Sequence, residues 1–70
     1  CAPRLLVKGS KPSQQGRYNM TYERFSSSLL ILQVREADAA VYYCAVTLRG
    51  YGGATNKLIF GTGTLLLSSQ

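Results

Sequence analysis

No window of helical length in this chain repeats an apolar residue at every third or fourth position; what recurs is a period of two, in short segments separated by Gly, Pro and Ser. That pattern confines the chain to β-structure, because alternate residues of a strand share one face. In Arg17 to Tyr22 the side chains of Tyr18, Met20 and Tyr22 alternate with Arg17, Asn19 and Thr21. Leu29 to Val34 sets Leu30, Leu32 and Val34 against Leu29, Ile31 and Gln33, and reads as a strand buried on at least one face. Val41 to Val46 carries two tyrosines and a cysteine, and alternation resumes in Lys57 to Phe60, ahead of Gly61-Thr62-Gly63 and Thr64 to Leu67. Arg4 to Lys8 is predicted as a further short strand and Gly9 to Ser13 as a loop, since Pro12 cannot donate to a ladder. Arg35 to Ala39 is polar and suits one turn of helix, with Asp38 accepting local backbone donors. The stretch around Gly50, Gly52 and Gly53 predicts a hairpin with a long tip.

Seventy residues make one small domain at most, and a chain of that size buries only about 60% of its unfolded surface. The net charge of +5 is spread over Arg4, Lys8, Lys11, Arg17, Arg24, Arg35, Arg49 and Lys57 without a run of like charge. A nucleic-acid surface would gather its basic residues and interleave them with stacking aromatics, so no nucleic acid is expected. Cys44 has no His to serve as base, and two cysteines without His leave a tetrahedral metal shell half filled. No enzyme, cofactor or metal is therefore expected. Leu29 to Leu32 and Leu65 to Leu67 fall far short of the roughly 18 residues of a spanning helix, and no basic-plus-apolar leader opens the chain. The expectation is a soluble piece, or part of a larger ectodomain, without direct membrane contact.

Two motifs carry a resemblance. Asp38-Ala39-Ala40-Val41-Tyr42-Tyr43-Cys44 resembles the region of strand F in immunoglobulin variable domains, with a turn Asp, a tyrosine corner and the second disulfide cysteine. Tyr42 and Cys44 are two residues apart and so share the inner face, which leaves Tyr43 outward. Phe60-Gly61-Thr62-Gly63 is similar to the Phe-Gly-X-Gly bulge of a joining segment, where glycines let the backbone kink. Tyr51 to Phe60 is similar to a T-cell receptor alpha-chain joining segment, and Cys44-Ala45-Val46 to an alpha-chain loop start. The implied fold is an incomplete immunoglobulin-like V-type β-sandwich, strands C′ to G, with strands A, B and C missing from this sequence. Within it Arg4 to Lys8 would be C′, Gly9 to Ser13 the second hypervariable loop, Arg17 to Tyr22 strand D, Leu29 to Val34 strand E, and about Ala45 to Ile59 the third hypervariable loop.

The resemblance implies antigen recognition in an extracellular part of a plasma-membrane receptor, paired with a T-cell receptor beta chain variable domain and binding peptide presented by a major histocompatibility (MHC) molecule. Antigen contacts would come from Lys8, Ser10 and Lys11, and from Thr47, Leu48, Arg49, Gly50, Tyr51, Gly52 and Asn56, where Tyr and Arg give contact area and Gly gives adaptability. Pro3, Leu5, Tyr43 and Phe60 would meet the partner domain. Tyr42 and Cys44 would be structural, and Asp38 would pair with Arg17 across the base of the sandwich, against the alternative of a solvated Asp that only shapes the turn. Asn19-Met20-Thr21 fits the glycosylation acceptor pattern, with Asn19 outward. Three departures stand beside these matches: no Trp, Cys1 at a surface turn and not a partner for Cys44, and a tail from Leu65 to Gln70 that lacks the family's alternating end. Competing readings are an antibody light-chain fragment and a non-functional fragment prone to association.

Overall fold

The computed structural model describes residues 2–49 and 56–68, together with the strand position but not the side chain of Arg49. The chain divides into two units, Cys1–Val34 and Arg35–Gln70.

The first unit is a three-stranded antiparallel sheet, β1 (Ser13–Gln15), β2 (Tyr18–Tyr22) and β3 (Ser27–Ile31), in the order β1-β2-β3. Gly16, at φ 57, occupies a left-handed backbone position in the turn from β1 to β2, where glycine carries no steric penalty. The Glu23 N–H donates to the Ser26 carbonyl at 2.7 Å, so Arg24 and Phe25 alone form the tip between β2 and β3. β3 ends where the Leu32 N–H donates to the Arg17 carbonyl and Gln33 turns to φ 50. The Arg17 guanidinium closes that corner by donating to the carbonyls of Leu32 and Gln33 at 3.0 and 3.2 Å.

Register decides which face is apolar. Tyr18 lies opposite Ile31 and Met20 opposite Leu29, all four half-buried, whereas Leu30 and Leu32 are 56% and 37% exposed. The expectation that Leu30, Leu32 and Val34 form one side of the strand is kept as a periodicity, but the better buried side is that of Leu29 and Ile31. The strand expected over Arg4 to Lys8 is not formed; a strand exists only where a ladder partner does, and β2 takes Ser13–Gln15 instead. Leu6 and Val7 in that segment are nonetheless half-buried.

The second unit begins with a single 3-10 turn, Glu36–Asp38, as its polar composition predicts. β4 (Ala40–Tyr42) pairs with β7 (Thr64–Leu66), and β5 (Ala45–Arg49) pairs with β6 (Asn56–Phe60), both antiparallel. The strand expected from Val41 to Val46 is thus divided. The reason lies in its partner: Ala45 is opposite Phe60 and Tyr42 opposite Thr64, so Gly61, Thr62 and Gly63 stand against only Tyr43 and Cys44. One extra residue on one strand is a β-bulge, which breaks the ladder and increases twist. β7 still alternates despite its leucine run, with Leu65 and Leu67 exposed and Leu66 half-buried.

Among the described residues no apolar side chain is buried, and Asp38 is the buried polar one.

Candidate functional site

Beneath the site is the turn that aims strand β4. The Asp38 carboxylate accepts the Arg35 N–H at 2.8 Å, which fixes the 3-10 turn from within, and Asp38 is only 6% exposed. Four residues on, the Tyr42 hydroxyl donates to the Asp38 carbonyl at 2.7 Å. This is the backbone reach expected for an inward Tyr42, half-buried between the exposed Val41 and Tyr43. Asp38 is thus buried, where one alternative left it solvated, and its carboxylate shapes the turn. Arg17, expected to pair with Asp38, belongs to the other unit.

Above the turn the bulge tilts the chain into the β5–β6 hairpin. The Gly61 N–H donates to the Cys44 carbonyl at 2.7 Å and holds the base of the hairpin shut. Gly63 sits at φ 97, and a Cβ there would lie 2.8 Å from Tyr43 Cε1 and 3.0 Å from Val41 Cγ1. Glycine is demanded at Gly63 twice over, by backbone and by space. Tyr43 meets Phe60 edge to face, ring centroids 6.5 Å apart and planes at 86°, a geometry that aligns ring edge with ring face. Both rings are 54% exposed.

The ladder then sorts the hairpin into two faces. Thr47 is opposite Leu58 and Arg49 opposite Asn56, and both pairs continue the side begun by Phe60 and Ala45. Val46, Ile59, Leu48 and Lys57 form the other side. Every described side chain of β5 and β6 is exposed. The stretch expected as a loop from about Ala45 to Ile59 is therefore largely a two-stranded ribbon, which brings Thr47, Leu48, Arg49 and Asn56 to its upper half. Gly50, Tyr51 and Gly52, expected at the tip, lie outside the described residues, as does Cys1 and with it the expectation that it is not bonded to Cys44.

Cys44 departs from expectation: its thiol is free and exposed, not packed in a core. It stands at the bulge, and no apolar side chain of the described residues is buried around which a core could close. Lys8, Ser10, Lys11, Pro3 and Leu5 belong to the first unit and are exposed there, Leu5 at 69%. Residues Leu5, Leu6, Val7 and Lys8 line an open hollow of about 380 Å³ with Ser13 and Gln15. Sequence reasoning did not single out Arg24 and Phe25; the guanidinium lies 5.2 Å from the ring centroid, and Phe25 is 90% exposed at the hairpin tip. Adjacent charged and aromatic residues followed by serines were the available signal. Among the described residues no cluster of His, Cys, Asp and Glu could hold a metal, and no helix is long and apolar enough to cross a membrane.

The chain is 45% identical over 69 residues to the Mus musculus T-cell receptor alpha chain V region 2B4, a match covering 93% of this chain and 51% of the relative. It is 39% identical over 70 residues to the Oryctolagus cuniculus T-cell receptor alpha chain V region RL-5, covering 91% of this chain and 48% of that relative. The chain thus spans about half the length of the curated relatives it matches. No family model matches it. No solved structure matches it significantly.

Proposed function

This chain is a T-cell receptor alpha V-type fragment, matching the V regions over about half their length, and from that membership we propose antigen recognition as its function. It serves as the alpha half of a paired site, extracellular, joined to a beta chain variable domain and reading peptide held by an MHC molecule. The observation that carries this reading is the single face of the β5–β6 hairpin. Its base is aromatic, Tyr43 against Phe60, and outward aromatics suit a partner interface. Its upper end is polar, with Arg49 opposite Asn56, as suits a paratope that must adapt to a mixed surface. Thr47, Gly50, Tyr51 and Gly52 complete the upper contact, Leu48 adds to it from the hairpin's other side, Lys8, Ser10 and Lys11 contribute from the second hypervariable loop, and Pro3 and Leu5 extend the partner surface.

The test separates pairing from recognition. Substituting Tyr43→Ala with Phe60→Ala in the alpha chain is expected to reduce recovery of the alpha–beta pair at least tenfold, a loss of about 1.4 kcal/mol. Arg49→Ala is expected to leave recovery unchanged and to weaken capture of presented peptide. Full pairing by the double variant contradicts the assignment of the face. A second reading, a fragment that only associates with itself, is favoured by the lack of buried apolar side chains among the described residues, and pair formation with a beta domain argues against it.

A further inference from the structure

We propose that Asn19 carries an N-linked glycan on the solvent face of the three-stranded unit, and that the glycan is added before β2 pairs with β3. The proposal rests on the secretory route implied by the extracellular reading above, and on the geometry of one strand. Asn19-Met20-Thr21 is an acceptor sequence, with its hydroxyl residue two positions after the Asn. Tyr18 and Met20 share the half-buried side with Ile31 and Leu29, so period two turns Asn19 and Thr21 to the opposite side. That side is the open one: Leu30, directly opposite Asn19, is 56% exposed, and Gln14, opposite it on β1, is exposed too. A glycan rooted there leaves the face of Tyr18 and Met20 clear.

The order of events follows from the same strand. Transfer joins Asn19 Nδ2 to the anomeric carbon of an oligosaccharide carried on a lipid diphosphate. The bond from that carbon to the phosphate oxygen breaks, the lipid diphosphate leaves, and one amide proton passes to a base of the transferase. The acceptor pattern has the Asn amide and the Thr hydroxyl read together. In β2 they stand about 7 Å apart along the strand. The Thr21 hydroxyl is held by the Ser28 hydroxyl at 2.5 Å, and Asn19 is half-buried between its neighbours on β1 and β3. The paired strand therefore holds the two groups apart in an extended geometry, with the exposed Thr21 hydroxyl engaged by Ser28, and the unpaired strand is free to bring them together.

The experiment uses the full-length chain secreted with its beta partner from a eukaryotic cell. The folded receptor is treated with peptide N-glycosidase in heavy-oxygen water, and the peptide spanning Asn19 is weighed. A heavy Asp in place of Asn19 is expected. Asn19→Gln and Thr21→Ala are expected to lose the glycan, whereas Ser28→Ala, which keeps the acceptor sequence, is expected to retain it at undiminished occupancy. For the order, receptor refolded without glycan is incubated with purified transferase and lipid-linked donor beside a synthetic peptide of residues 17–23. The peptide is expected to be modified and the folded receptor not. An unlabelled Asn19 in the secreted receptor overturns the site, and equal modification of folded receptor and peptide overturns the order. Capture of presented peptide, measured on the same secreted receptor, reports on the recognition reading separately.

Discussion

Tyr42 reaches back four residues to hold the Asp38 carbonyl, and Asp38 in turn holds the Arg35 N–H, so a polar turn is set by two side chains before any apolar packing is counted. A neutral hydrogen bond of this kind contributes about 1 kcal/mol net, more when its loss strands a buried group. Tyr42→Phe is expected to destabilise the assembled receptor by about 1–2 kcal/mol in denaturant unfolding, with the midpoint lowered and the slope unchanged. An unchanged midpoint would mean that water replaces the hydroxyl without cost. At this scale the sequence was largely legible: the spacing of Asp38, Tyr42 and Tyr43 encodes turn, inward ring and outward ring. Cys44 was not, because alternation says which side a residue faces and nothing about whether anything covers that side.

Strands are legible as alternation but their ends are set by partners. Leu29 to Val34 alternates throughout, yet pairing stops at Ile31 because Arg17 draws the Leu32 and Gln33 carbonyls into a corner. Arg4 to Lys8 has strand composition and no strand, since β2 is occupied by Ser13–Gln15. The bulge is the element that the glycines did announce. Gly63→Ala places a methyl carbon against Tyr43 and Val41 at a left-handed backbone position, and is expected to cost about 1–3 kcal/mol by backbone strain alone. Gly61→Ala, whose Cβ would meet only the Cys44 carbonyl at 3.4 Å, should cost distinctly less; equal unfolding midpoints for the two variants would contradict the geometry. For the hairpin, Arg49→Ala or Tyr51→Ala is expected to weaken capture of presented peptide by about 2 kcal/mol or more, as hot spots do. Lys57→Ala, on the side away from Arg49 and outside the proposed contact, should change it little. Equal, negligible losses for all three would reject the upper hairpin as the contact.

At the scale of the molecule the governing fact is exposure. Leu5, Phe25, Leu30, Leu58, Leu65 and Leu67 are all more than half exposed, and no apolar side chain among the described residues is buried. Each hairpin has an apolar side with nothing of the described chain to close it, and hairpins without a facing layer are marginal in water. Open strand edges beside the exposed Leu30 and Leu32, and beside Leu65 and Leu67, are templates for association. The resemblance spans strands C′ to G, and the structure leaves Cys44 exposed. The central expectation is the dependence of these residues on other strands and a partner domain for a stable binding surface. Its most direct test is denaturant unfolding and sedimentation of the seventy-residue polypeptide by itself. A broad, non-cooperative transition with concentration-dependent association is the expected result, and a monomer unfolding in one cooperative step would contradict it.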